Sequence, residues 1–196
     1  MTIRRLSWVL AAALWTTPTS ADETVSTFTL DGLSFISFGD QEIVLPDSGS
    51  TLKFRFGDPN PDGSIPFTIR PEDVSIDPVA LPDGGGTLTY ALASQATGVM
   101  SPTSEGRKLT FTATVSATLD SPTSKGTFDY AIPFTTEAAA ASNATGSETL
   151  NVTGMRLVDG VWYGQIVGAT TNKENAFPEP GTAVYSVLSG SFDQVP

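Results

Sequence analysis

The 196-residue chain contains no cysteine and no histidine, and these two absences exclude most familiar catalytic chemistry. Serine–histidine and cysteine–histidine nucleophiles cannot form within one chain, and neither can zinc sites built from histidine or cysteine. Without cysteine the chain also forms no disulfide, so a hydrophobic core must stabilise the fold. We therefore expect a protein that is not an enzyme of any of these classes.

Basic residues are also scarce: ten lysines and arginines stand against 21 aspartates and glutamates, for a formal net charge of −11. The basic residues are scattered along the chain, whereas a protein that follows a nucleic-acid backbone needs clustered cationic side chains. We therefore expect no nucleic-acid partner. The acidity instead favours solubility or the attraction of cations.

The sequence lacks an apolar run of about 18 residues, the length that a transmembrane helix needs. Its most apolar stretch, Leu6–Trp15, is shorter, follows two arginines and precedes small residues that end at Ala21. This arrangement predicts a signal peptide over residues 1–21 and export to the periplasm or the extracellular space. Cleavage leaves residues 22–196, with eight basic and 21 acidic residues and a net charge of −13.

The dominant period of the mature sequence is two, which places alternate residues on opposite faces of a β-strand. In the clearest run, Lys108–Leu119, apolar side chains alternate with threonine and serine. A second alternating run begins at Gly126, and the segment Asp120–Lys125 between them is rich in turn-forming residues. This pattern predicts two long paired strands.

A better-defined hairpin follows. The candidate strands 149–158 and 161–169 flank Asp159-Gly160, a pair that is typical of a two-residue hairpin turn. The alanine-rich run 138–141 carries no amphipathic stripe, and we expect a loop there. Together, about 8–10 strands without an interdomain linker predict an all-β fold, a single-domain antiparallel β-sandwich over residues 22–196.

The segment D-P-N-P-D-G-S over residues 58–64 fits the D-x-N-x-D-G opening of a calcium-binding loop. Hard Ca²⁺ prefers several oxygen ligands, and the alternating polar side chains that supply them here are Asp58, Asn60, Asp62 and Ser64. The bidentate acid that closes such a loop is replaced by Ile69. Because the same residue types favour an ordinary polar turn, a calcium site and a simple turn both stay open.

Paired carboxylates are the catalytic chemistry that this composition leaves available. A glycosidase needs two acids about 5–9.5 Å apart, one of them held protonated near neutral pH. The sequence has many acids, but most carboxylates of an acidic exported protein are solvated. We keep a carboxylate-dependent or calcium-dependent carbohydrate-active enzyme as an alternative to a non-catalytic protein.

Two aromatic residues after the predicted hairpin turn are the candidate ligand contacts. Trp162 and Tyr163 are adjacent on a strand, so they point to opposite faces, and at least one can be exposed for stacking on a ligand. Gly164 and Gly168 share the Trp162 face, where missing side chains can accommodate its ring or another backbone. The competing interpretation is ordinary core packing. We expect a non-catalytic binding or structural protein of the cell envelope or extracellular matrix, with a carbohydrate or a protein as its ligand.

The long alternating strands are also compatible with a small outer-membrane β-barrel. Eight strands of about ten residues fit the chain, and the threonine rows would then line the lumen while the apolar rows face lipid. The proline-broken first half and the polar C-terminal residues argue against this alternative.

Overall fold

The computed structural model describes residues 23–47, 49–81, 85–122, 125–143, 146–152 and 154–196. The predicted signal peptide, residues 1–21, lies outside the described residues, and its cleavage stays a prediction. The described parts of the chain contain sixteen β-strands and one turn of 3-10 helix, Pro71–Asp73. The strands are β1 (Thr24–Leu30), β2 (Phe35–Phe38), β3 (Gln41–Val44), β4 (Thr51–Phe56), β5 (Ile65–Ile69), β6 (Val74–Ser75), β7 (Val79–Ala80), β8 (Thr87–Leu92), β9 (Ala96–Pro102), β10 (Arg107–Asp120), β11 (Lys125–Thr135), β12 (Ala139–Asn143), β13 (Gly146–Leu150), β14 (Arg156–Val158), β15 (Val161–Thr171) and β16 (Ala183–Phe192).

The alternation of the sequence corresponds to alternate burial in the long strand β10. Leu109 and Phe111 are buried, whereas Thr110, Thr112 and Thr118 are exposed on the opposite face. β10 pairs antiparallel with β11 over eleven residue pairs. The two predicted long strands are therefore confirmed. Every second side chain of β10 is buried because successive side chains of a strand point to opposite faces.

The main sheet closes on itself. Eight strands follow one another around its wall in the order β15, β11, β10, β9, β5, β4, β1 and β16, and β15 pairs with β16 to complete the ring. The all-β antiparallel class is confirmed. The two separate layers of the expected sandwich are instead one closed barrel, because β1 and β16, which are distant in the chain, pair directly.

Shorter strands extend this wall. β16 pairs along one edge first with β1 and then with β2, and β3 continues outward from β2. In the same way, β10 pairs along one edge with both β9 and β8. β14 lies beside β15 and forms an outer edge of the sheet.

The inside of the barrel is filled by apolar side chains, above all phenylalanine. The ring centroids of Phe28, Phe54 and Phe192 lie 4.9–6.4 Å apart. Phe111 and Phe134 stack at 4.9 Å. A cavity within this core has a volume of about 30 Å³, far below the roughly 300–1,000 Å³ of a typical ligand pocket. This cavity therefore belongs to a packed core and cannot hold an organic ligand.

The apolar and threonine side chains of the long strands point in the opposite directions to those expected for a membrane barrel. That alternative places threonine in the lumen and apolar side chains against lipid. In β10 the apolar row lies inside the barrel and the threonine row lies outside. The barrel shape is present, but the orientation of its rows is reversed.

A separate hairpin of β12 and β13 covers part of the outer surface of the barrel. Ala139 and Ala141 of β12 pack against Val167 of β15 and Tyr185 of β16. The loop expected over 138–141 is therefore wrong, since β12 begins at Ala139. Small side chains let this strand lie against the wall, and as a consequence β16 is buried on both faces.

Candidate functional site

The Asp159-Gly160 turn forms as predicted and joins β14 to β15. Its two residues have φ values of 50° and 83°, the positive values that a two-residue hairpin turn of this kind requires. Leu157 lies opposite Trp162, and Arg156 lies opposite Tyr163. Directly opposed residues share a face, so Trp162 and Tyr163 lie on opposite faces of the hairpin.

Trp162 is partly buried and lines an open groove. Its ring packs against the barrel core, and its neighbour across the β15–β16 ladder is Phe192. The groove has a volume of about 500 Å³, and its lining residues are Glu105, Gly106, Arg156, Leu157, Val158 and Trp162. Arg156 Nη2 lies 3.6 Å from Glu105 Oε2, so the groove combines apolar surface with an exposed ion pair.

Exposed apolar side chains are concentrated on this hairpin. Leu157, Val158 and Tyr163 are 56%, 50% and 48% exposed. Tyr163 lies on the face opposite Trp162, so the two predicted ligand contacts do not converge on one surface. Exposed apolar patches beside polar residues are typical of interaction sites.

Other residues of the protein pack directly against the backbone of the two glycines on the Trp162 face. A Cβ on Gly164 would lie 2.5 Å from Met155 Sδ and 2.9 Å from Gly154 O, and a Cβ on Gly168 would lie 2.5 Å from Ile132 Cγ2. These glycines therefore serve close internal packing. The groove on this face is limited to the surroundings of Trp162.

The candidate calcium loop is held together by its own side chains. Asp62 Oδ1 accepts hydrogen bonds from Ser64 Oγ at 2.6 Å and from Ser64 N at 2.9 Å. Asn60 Nδ2 donates to Ser64 Oγ at 2.9 Å. The hydrogen bond from the Ser64 hydroxyl, followed by that from its backbone, lowers the pKa of Asp62. Asn60, Asp62 and Ser64 thus lie together, while Asp58 is exposed at the start of the loop.

Calcium binding at this loop requires a change in these hydrogen bonds. The Ser64 hydroxyl proton points to Asp62 and Asn60 presents its amide nitrogen, whereas a calcium ion needs oxygen lone pairs. Over the part of the chain that the structure describes, no group of three or more acidic side chains is placed to hold a metal ion. Calcium binding by Asp58, Asn60, Asp62 and Ser64 stays a prediction.

A buried carboxylate, Asp73, forms an ion pair with Arg55. Asp73 is 3% exposed and accepts three hydrogen bonds, from Arg55 Nε at 2.6 Å, from Arg55 Nη2 at 2.7 Å and from Arg70 N at 3.2 Å. These bonds lower the pKa of Asp73 against the opposite effect of burial. A carboxyl group held ionised in this way cannot be the proton donor of a glycosidase. The pair therefore stabilises the 3-10 turn and β4.

A second concave site, which the sequence analysis did not identify, opens between β11 and the loop after β15. This cleft has a volume of about 260 Å³ and is lined by residues 129–131 of β11, 170–171 of β15 and 172–175 of the loop. Its charged side chains are Asp129, Lys173 and Glu174. The closely spaced asparagines 172 and 175 are the sequence signal that could have indicated an ordered loop here.

Asn172 organises the loop that borders the cleft. Its side chain is buried, donates to Asn175 O at 2.8 Å and to Pro178 O, and accepts from Asn175 N at 3.0 Å. Asn175 Nδ2 then donates to Asp129 O of β11 at 2.8 Å. The loop is therefore connected to the facing strand across the cleft.

Comparisons with known protein families, with characterised proteins and with solved structures give no match to this chain. Among the described residues, no helix has the length and apolar character to cross a membrane.

Proposed function

We propose that the protein is an exported, non-catalytic binding module of the cell envelope or extracellular matrix that contacts its ligand through the β14–β15 hairpin. The observation that carries this proposal is the concentration of Leu157, Val158 and Tyr163, all about half exposed, beside the groove lined by Trp162. Exposed apolar side chains gathered on one hairpin, beside polar residues, are typical of an interaction site.

A protein is the better candidate ligand than a carbohydrate. Stacking on a sugar requires a flat aromatic face that is accessible to solvent. Trp162 packs partly into the core, and its exposed neighbours Leu157 and Val158 are aliphatic. Aliphatic and aromatic side chains around an ion pair suit the apolar centre and polar rim of a protein interface.

The test compares a double variant of the hairpin, Leu157→Ser with Tyr163→Ser, with the unchanged protein. Both side chains are exposed, so the fold should be retained, which circular dichroism checks. The unchanged protein is first screened against a panel of displayed peptides and an oligosaccharide array. The double variant should bind each ligand that the unchanged protein captures at least tenfold more weakly. Leu33→Ser is the matched control, because Leu33 is 67% exposed at another part of the surface. Equal binding by the hairpin variant and the control contradicts the proposal.

The carboxylate-dependent enzyme is the second candidate, and it is favoured by one observation. Asp129 and Glu174 line the same cleft, as the two acids of a glycosidase do. Against it, Asp129 Oδ1 already accepts a hydrogen bond from Ser116 Oγ of β10. A panel of 4-nitrophenyl glycosides decides the question. The enzyme requires turnover that is lost in both Asp129→Asn and Glu174→Gln, and absence of turnover in the unchanged protein removes this candidate.

A further inference from the structure

The wall of the barrel contains a seam where two neighbouring strands separate. β11 pairs with β15 only at Phe134 and Thr135, although β11 begins at Lys125 and β15 extends to Thr171. By contrast, the β15–β16 ladder has ten residue pairs. The cleft of about 260 Å³ lies in this gap. We call the gap between residues 125–133 of β11 and the end of β15 the seam.

The backbone of alternate β11 residues faces the seam. Asp129 O accepts a hydrogen bond from Asn175 Nδ2 on the far side, so this carbonyl points away from β10. Backbone groups two residues apart on a strand point to the same edge, so Thr127 and Ala131 also present their N–H and C=O groups there. Pro133 lies on that edge too, and its missing N–H is the physical reason why the ladder with β15 stops. Within the described residues, no strand pairs with this part of the edge.

We infer that the seam is a docking site for an extended peptide of a partner protein, which pairs with β11 as an added strand. Successive donors and acceptors on one edge of β11 are two residues apart, at Thr127, Asp129 and Ala131. An extended peptide carries donors and acceptors at the same spacing, which is how a strand is added to a free sheet edge. The Asp129 carbonyl accepts a hydrogen bond from Asn175 Nδ2, so an added strand takes the place of this amide at Asp129.

The charge of the site selects the kind of peptide. Two carboxylates, Asp129 and Glu174, line the cleft with one ammonium group, Lys173. The chain as a whole has a formal net charge of −11, which attracts cationic partners and repels a second copy of itself. The favoured occupant is therefore a segment that carries lysine or arginine side chains.

The seam is independent of the groove in the proposed function. Trp162 and Thr170 are eight residues apart on β15, which corresponds to roughly 26 Å along a strand. Substitutions at one site therefore leave the contacts of the other unchanged. The two proposals can fail separately.

The test uses the full chain and a phage-displayed library of heptapeptides as the probe. Ala131→Pro removes an N–H that faces the seam at an exposed position, and the native Pro133 shows that this edge of β11 accepts proline. Ala131→Val is the matched control, because it keeps the N–H and favours a strand. Enriched basic peptides should bind Ala131→Pro at least about tenfold more weakly, and Ala131→Val within about threefold.

N-methylation of a selected peptide gives a second measurement that needs no variant protein. Methylation of the alternate amides that face β11 should weaken binding about tenfold or more, whereas methylation of the other set should not. Failure to enrich any peptide, or enrichment of peptides that bind Ala131→Pro as tightly as the unchanged protein, would overturn the inference. Peptides lost only in the Leu157 and Tyr163 double variant belong to the hairpin instead. Self-association that Ala131→Pro abolishes would identify a second copy as the occupant and would also overturn it.

Discussion

The substitution Gly190→Ala tests the closure of the barrel between β1 and β16. A Cβ on Gly190 would lie 2.0 Å from Thr29 O, 2.9 Å from Thr29 C and 3.2 Å from Leu30 Cα. All three are backbone atoms of β1, which pairs with β16 at this point, so no side-chain rotation makes room. Ordinary contacts between carbon and carbonyl oxygen are about 3.3 Å or longer. The two strands would therefore have to separate by roughly 1.3 Å.

The forced separation of β1 and β16 should lower the free energy of unfolding. Overpacking of a well-packed site costs about 1–3 kcal/mol, and we expect the upper end because the obstacle is backbone. For a domain of this size, each kcal/mol lowers the Tm by about 2–4 °C. Gly190→Ala should therefore melt about 6–12 °C below the unchanged protein.

Gly32→Ala is the matched control for this experiment. Gly32 is not among the glycines with positive φ, and the nearest atom to an added Cβ is Asp47 Oδ2 at 3.5 Å. Its free energy of unfolding should stay within about 0.5 kcal/mol of the unchanged protein or rise by up to about 1 kcal/mol. Thermal melting by circular dichroism and urea unfolding measure both variants. Melting of Gly190→Ala within about 2 °C of Gly32→Ala would refute the close approach of β1 and β16.

Two further predictions concern the acidic residues. Asp73→Asn removes the charged acceptor of both Arg55 hydrogen bonds and should lower the free energy of unfolding by about 2 kcal/mol at pH 7. Because the pKa of Asp73 is lowered in the folded protein, its contribution is complete above the ordinary aspartate pKa of about 3.9 and is lost as the pH falls through the lower folded-state value. The melting temperatures of Asp73→Asn and the unchanged protein should therefore converge below about pH 4, and a gap that widens there contradicts the ion pair. Calcium binding by Asp58, Asn60, Asp62 and Ser64 predicts a Tm about 5–11 °C higher in excess Ca²⁺ than in chelator, with the difference lost in Asp62→Ala. Equal melting in Ca²⁺ and chelator contradicts a stabilising calcium site.

The buried and exposed faces of the long strands could be predicted from the sequence, because they depend on the alternation of residues that are adjacent in the chain. In β10, burial of Leu109 and exposure of Thr110 follow from a period of two that is visible without any partner strand. The Asp159-Gly160 turn is equally local, since its positive φ values depend on the two turn residues themselves. Both features were predicted from the residues that form them.

Strand boundaries between these features were less predictable. The strand expected over 149–158 is divided in the structure: β13 ends at Leu150 and β14 begins at Arg156. The alanine run that forms β12 has no alternation of its own, because the apolar surface that it contacts is supplied by β15 and β16. A strand whose stability comes from a distant surface carries a weak local signal.

The amino-acid sequence by itself determined the β class, the faces of the long strands, the hairpin turn and the acidic character of the protein. Only the tertiary structure decided that β1 and β16 close a barrel, that Trp162 packs against the core while Tyr163 is exposed, and that β11 and β15 part at the seam. The physical reason is the range of the interactions involved. Periodicity and turn chemistry act between adjacent residues, whereas the missing N–H of Pro133 ends a ladder only because folding places β15 at that edge of β11.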